Sequence, residues 1–305
     1  MFMNRIFTLI CLLGTLLCQS QTHAQLSVLQ AKTPYASSYV FYPNDNQRHP
    51  GIVLFHGSEG GSVRNMWVHA LLLAQAGHSV MVFCWWDCER DVRTQPFASL
   101  MADIELKGVV DAVDWFRKSA YVNSKKGIAL YGISKGAELA MVLTSLSDQL
   151  PFRVSALAVH SPTDIVEKGA NINWLDSRCW ICKEGVKSCS YRAEFWNRAC
   201  GKIDGDFTPA DRDRLPMWRW RGERLKLNSR IEIEKYAGPI LITAGANDTD
   251  WESDKNRVKR IESALLKAKR KPQIHIFPDE EHSFSLEAEQ KRKALVDRFF
   301  KERVR

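Results

Sequence analysis

Short apolar runs alternate with helical stretches along most of this chain, and that alternation constrains its fold more than any other feature. Runs at 39–42, 52–55, 79–85, 128–131, 156–159, 240–243 and 274–277 are short, apolar and rich in Val and Ile. Strands buried on both faces of a parallel sheet have this composition. Helical periodicity covers 66–76, 100–119, 135–146, 253–268 and 286–304. Strand and helix in turn predict an α/β domain with a mostly parallel central sheet and helices on both faces. In the last helix Leu295, Phe299 and Phe300 share one side, and its Lys and Arg residues are expected on the other, in solvent.

Composition agrees with a large single core. The 305 residues are 45% hydrophobic and 26% charged, which excludes a disordered chain, a collagen-like repeat and a miniature disulfide knot. The net charge of +8 is modest for this length, and no nucleic-acid module accompanies it, so a nucleic-acid partner is not expected.

Residues 1–24 read as a cleavable export signal. Arg5 precedes an apolar run from Ile6 to Cys18, and Thr22-His23-Ala24 offers small residues for cleavage. A run of about 13 residues is short for a bilayer, so no membrane anchor is expected after cleavage, and the protein should be secreted or periplasmic. Residues 25–305 would then form one domain. Export leaves Cys84, Cys88, Cys179, Cys182, Cys189 and Cys200, an even set in an oxidising compartment, and disulfides are the expected state. A zinc site on Cys179, Cys182, Cys189 and Cys200 is the alternative, but no metal is expected.

The strand-helix rhythm breaks at about 162–237. This insertion holds four of those cysteines and five of the ten tryptophans. Its own core would be small, so disulfides and packing on the main sheet would have to hold it, as a lid over a site or as a stapled decoration.

The chemistry is carried by Gly132-Ile133-Ser134-Lys135-Gly136, set between the apolar run ending at Tyr131 and a helix. In a nucleophile elbow a serine occupies a strained strand-to-helix turn, and the flanking glycines let backbone approach where a Cβ would collide. A serine hydroxyl needs a histidine to take its proton and a carboxylate to orient that histidine. Later loops in the order Ser, Asp, His supply both: Asp248 after 240–243 and His282 after 274–277, with Asp250 a rival for the acid in the same loop. The oxyanion of acyl transfer needs preorganised donors. The backbone N–H of Lys135 is one candidate; Ser58, in the Gly-rich stretch His56 to Gly61, is the other, with Glu59 its neighbour and rival. Trp85 and Trp86, at the end of a predicted strand, are candidate walls for an apolar acyl or aryl group.

These residues resemble the α/β-hydrolases, and within them the C-terminal catalytic domain of acyl-CoA thioesterases and bile acid-CoA:amino acid N-acyltransferases. Gly132 to Ala140 is similar to that family's nucleophile segment, and Gly245 to Trp251, with Asp248 and Trp251, to its acid loop. The resemblance covers roughly 50–162 and 238–300. It implies an α/β-hydrolase fold with Ser134 as nucleophile, Asp248 as acid and His282 as base, and more distantly it extends to dienelactone hydrolases and prolyl-oligopeptidase-like esterases. The insertion and the export signal depart from the family, so coenzyme A is not carried over as the acyl carrier.

The expected activity is hydrolysis of a small ester or thioester, or an amide, through an acyl-Ser134 intermediate without a cofactor. Acyl transfer to an amine or alcohol would use the same residues. A binding protein on a hydrolase scaffold is the non-enzymatic alternative.

Overall fold

The computed structural model describes residues 27–60, 63, 66–89, 101–169, 180–182, 189–191, 215–248 and 256–304. Its centre is an eight-stranded sheet. The strands are β1 (Val28–Lys32), β2 (Tyr39–Pro43), β3 (Gly51–Phe55), β4 (Ser79–Phe83), β5 (Ile128–Ile133), β6 (Val154–His160), β7 (Ile240–Gly245) and β8 (Gln273–Phe277). Their spatial order is β1-β2-β4-β3-β5-β6-β7-β8. Pairing is antiparallel at β1/β2 and β2/β4 and parallel from β4 to β8.

The apolar strands need cover on both faces, and helices provide it. Val53, Phe55, Met81 and Phe83 pack on one face with α2 (Leu106–Lys118), α3 (Lys135–Ser145) and α4 (Arg257–Lys267). Ile52, Leu54, Val80 and Val82 turn to the other, against α1 (Trp67–Gln75) and α5 (Leu286–Arg303). Alternate side chains of one strand thus enter opposite cores, which is why these runs are mostly apolar, with Ser79 and Thr243 as buried polar exceptions.

Several elements differ from expectation. The strand expected to reach Trp85 stops at Phe83, because Cys84 and Cys88 are joined in a disulfide that turns the chain. The helix expected from residue 100 begins at Leu106, capped by the Glu105 carboxylate on the Lys107 N–H. Ahead of it, Ile104–Glu105 pairs in parallel with Trp218–Trp220, so a distant segment takes the local backbone into a second small sheet. Strand β1 was not anticipated; its burial is too slight to leave an apolar run.

The described ends of the insertion lie side by side. The N–H of Val166 donates to Ser229, Ile231 to Asp164, Met217 to Glu167 and Gly169 to Leu215. Between these ends, Trp180–Cys182 and Cys189–Tyr191 form an antiparallel pair with Cys182 directly opposite Cys189 in register. Cys179, Cys200, Asp250, Trp251 and the signal segment lie outside the described residues.

Candidate active site

Strand β5 ends in a turn that the sequence can make only with glycines in place. Ser134 has φ 55° and ψ −122°, a region L-residues rarely occupy and one that costs on the order of 1–3 kcal/mol. A Cβ on Gly132 would fall 2.1 Å from the Gly136 carbonyl oxygen, and one on Gly136 2.3 Å from that of His56. The turn is held by the Ser134 N–H donating to the His160 carbonyl at 2.9 Å and by α3 starting at the next residue. The side chain is thereby set above the C-terminal edge of the sheet.

The loops after β7 and β8 bring the other two candidates to that serine. His282 Nε2 is 2.8 Å from Ser134 Oγ, and His282 Nδ1 is 3.1 Å from each carboxylate oxygen of Asp248. Three residues far apart in sequence therefore form one hydrogen-bonded line, with Asp248 fully buried and His282 partly open. Such a line can move a proton from the hydroxyl to the imidazole and stabilise the resulting cation.

Arg257, in the first turn of α4, is a partner that sequence reasoning missed. It bonds the Asp248 carboxylate through Nη2, donates from Nη1 to the Asp248 carbonyl at 3.3 Å, and from Nε to the Pro162 carbonyl at 2.9 Å. It is 2% exposed, so its charge must be met within the protein, and this carboxylate and these carbonyls are among its partners. A basic residue at the start of a helix reads as surface, and no sequence signal marked it.

The loop after β3 lies against the elbow. A Cβ on Gly57 would be 3.2 Å from the Ser134 Cβ, which brings the buried Ser58 to one side of the serine as Lys135 opens α3 on the other. Lys135 Nζ bonds Glu138, whose wholly buried carboxylate also accepts from the Glu167 N–H and the Trp218 indole, each at 2.9 Å. The helix that follows Ser134 is thus tied to both described ends of the insertion.

A cleft of about 420 Å³ opens over Ser134 and His282, lined also by Ser58, Glu59, Met66, Ile133, His160 and Phe284. Trp85 and Trp86 are not brought to its wall. Both are buried, Trp85 stacked on His56 and packed on Trp218.

At one end of the cleft lie His69, Glu289 and Arg292. Here one expectation for α5 is corrected: Arg292 is not on a solvated face but 2% exposed. It pairs with Glu289 through two bonds of 2.8 and 2.7 Å and donates to the Tyr131 hydroxyl on β5. That bidentate pairing, with the tyrosine, supplies the partners a buried guanidinium requires. Burial pushes the Tyr131 hydroxyl up to about 12 and pulls the His69 imidazole down to about 4. Burial alone would raise the Glu289 carboxyl, but the bonds from His69 and Arg292 hold it well below the usual range. Burial, with the Arg292 charge nearby, lowers the His160 imidazole and keeps it neutral at pH 7.

Comparison with known proteins adds two findings. The family model "BAAT / Acyl-CoA thioester hydrolase C terminal" matches residues 104–286, more than half of the chain. The chain is 24% identical over 246 residues to acyl-coenzyme A thioesterase 6 of Mus musculus, covering 80% of this chain and 50% of that protein. It is 24% identical over 243 residues to acyl-coenzyme A thioesterase 1 of Homo sapiens, covering 80% and 51%. The chain spans about half the length of these curated relatives.

Among solved structures, the butyrate-bound esterase Est2 of Thermogutta terrifontis superposes with a TM-score of 0.55 at 18% identity, covering 92% of this chain and 95% of that one. An acylaminoacyl peptidase of Pyrococcus horikoshii superposes with a TM-score of 0.57 at 13% identity, covering 95% and 44%. At these identities the likeness is one of fold.

Proposed function

The chain belongs to the BAAT / acyl-CoA thioester hydrolase C-terminal family and has the α/β-hydrolase fold, and from that premise we propose that it is a serine hydrolase of a small ester or thioester. The observation that carries the reading is the line Ser134–His282–Asp248, with 2.8 Å between the hydroxyl and the imidazole.

In this reading Ser134 Oγ attacks the substrate carbonyl carbon while its proton passes to His282 Nε2. The carbonyl oxygen takes the negative charge, and the N–H groups of Ser58 and Lys135 stabilise it. His282 then protonates the departing alcohol or thiol, leaving acyl-Ser134. Water attacks the acyl carbon and gives a proton to His282, which passes it to Ser134 Oγ as the acid leaves. Asp248 keeps the Nδ1 proton in place and offsets the imidazolium charge. No step calls for a cofactor.

An apolar acyl group remains part of the proposal, with Met66, Ile133 and Phe284 as its wall instead of Trp85 and Trp86. We also propose that residues 1–24 direct export to the periplasm or medium, where the remaining cysteines can oxidise.

The test is a panel of p-nitrophenyl esters, acyl thioesters and amides on purified protein, with Ser134→Ala as the blank and fluorophosphonate labelling in parallel. Turnover and labelling lost together in Ser134→Ala support the reading. Turnover that survives the substitution refutes it, and product formed only when an amine or alcohol is added would assign acyl transfer instead.

A further inference from the structure

We propose that the Cys84–Cys88 disulfide is a positioning device for the oxyanion site: it holds Trp85 against His56, and His56 in turn orients the peptide that carries the Ser58 N–H. The proposal rests on the reading of Ser58 as an oxyanion donor.

The cross-link closes a five-residue ring directly after β4, and both of its ends are pinned to the turn between β1 and β2. The Cys84 N–H donates to Ser38 Oγ at 2.9 Å, and Ser37 Oγ donates to the Cys88 carbonyl at 2.6 Å. Inside the ring, Asp87 has φ 54°, a conformation that an open chain would seldom hold. Two of the three residues it confines are the tryptophans, and both face the loop 56–60.

Trp85 engages His56 in three ways. Its ring stacks on the imidazole with centroids 4.9 Å apart and planes 11° apart. Its indole Nε1 donates to the His56 carbonyl at 3.0 Å, and its backbone N–H donates to His56 Nε2 at 3.3 Å. Trp86 closes the far end of the loop, its ring 2.9 Å from where a Cβ on Gly60 would be. Ser58 lies midway between these two anchors.

The bond to His56 Nε2 has a chemical consequence. A backbone N–H can only donate, so Nε2 must be the acceptor and the proton of a neutral ring must sit on Nδ1. Burial keeps the ring neutral by lowering its pKa. His56 Nδ1 is 2.7 Å from the Gly57 carbonyl and therefore donates to it. That carbonyl belongs to the same planar peptide as the Ser58 N–H, and in a trans peptide the two point in opposite directions. Fixing the Gly57 oxygen thus fixes the direction of the Ser58 N–H. Trp85 thereby sets the tautomer, His56 the plane of the peptide, and the disulfide the place of Trp85.

The experiment compares wild type, Cys84→Ser/Cys88→Ser and Trp85→Phe on the best ester of the panel, with Ser134→Ala as blank. Rates are taken per site titrated by fluorophosphonate, and inhibition by a boronic acid that forms a tetrahedral adduct on the serine is measured beside them. Loss of a well-placed oxyanion donor costs about 100-fold or more in kcat, so a displaced one should cost about tenfold or more in the double variant. KM should stay within about twofold, and boronate affinity should weaken in parallel with kcat, because only the tetrahedral state is stabilised by the donor. Trp85→Phe keeps the cross-link and a ring on His56 and loses the indole bond, so it should move kcat the same way by a smaller factor. If the double variant does not fold, Trp85→Phe decides. Wild-type kcat and boronate affinity per titrated site in these variants would overturn the proposal while leaving the serine mechanism intact. Turnover in Ser134→Ala would overturn both.

Discussion

Arg257 bonds both the carboxylate and the backbone carbonyl of Asp248, while the same carboxylate faces His282 Nδ1 at 3.1 Å from both oxygens. A buried positive charge therefore sits one residue away from the imidazole that accepts the proton in the proposed mechanism. Among the described residues, Ser134 and the neutral His160 also neighbour that imidazole, and Glu59, His69, Glu289 and Arg292 line the same cleft. Replacing Arg257 by Met removes the cation and leaves Asp248 to favour imidazolium more strongly. The acid limb of kcat/KM should move up by roughly half a pH unit or more, and stability should fall by about 3–5 kcal/mol as a buried pair is broken. A pH-rate profile of Arg257→Met and Arg257→Lys checks this; an unmoved limb in Met would show that Arg257 is structural only.

Ser134→Ala and His282→Ala should each remove nearly all turnover, because a nucleophile without its base is inert. Ser134→Ala should keep the wild-type Tm, since the side chain contributes one oxygen and little packing. Asp248→Asn should be severe and Asp250→Asn mild. The reverse pattern in kcat/KM would transfer the acid role two residues along.

Glu138 ties the helix that follows Ser134 to the insertion, so its loss should be felt in stability first. Glu138→Ala removes the acceptor of the Trp218 indole, the Glu167 N–H and the Lys135 ammonium at once. Breaking such a buried charged network costs about 3–5 kcal/mol. Thermal or urea unfolding would measure it, and a loss below about 1 kcal/mol would mean the network is easily replaced.

Acid should destabilise the fold through its buried imidazoles. Burial lowers His69 and His78 to about 4. Between pH 6.5 and 4 the unfolded chain binds protons at these positions that the native state refuses, so stability falls as pH falls. The contribution is complete above about pH 6.5 and lost toward pH 4, on the order of 3 kcal/mol for each. Unfolding midpoints from pH 7 to 4.5 should show the slope, and His78→Phe or His69→Gln should flatten it. An equal slope in both variants would place the acid sensitivity elsewhere.

What the amino-acid order determined by itself is local or follows from chain order. The apolar strands, the glycines around Ser134, and loops bearing Asp248 and His282 after later strands are all readable because each depends on neighbours a few residues away or on succession along the sheet. The small second sheet was not readable, since Ile104–Glu105 takes its strand character from Trp218–Trp220, more than a hundred residues on. Tertiary structure alone decided that Arg257 serves Asp248, that Arg292 is buried beneath Tyr131, and that Glu138 receives Trp218. In each case a charged side chain that would otherwise stay in water is buried because folding supplies a partner from another element of the fold. Trp85 shows the same limit: its place at the end of β4 was evident, but whether its ring faced a ligand or His56 depended on contacts that form only when the sheet closes. Hydrophobic periodicity records which positions are covered, not which polar groups meet beneath the cover.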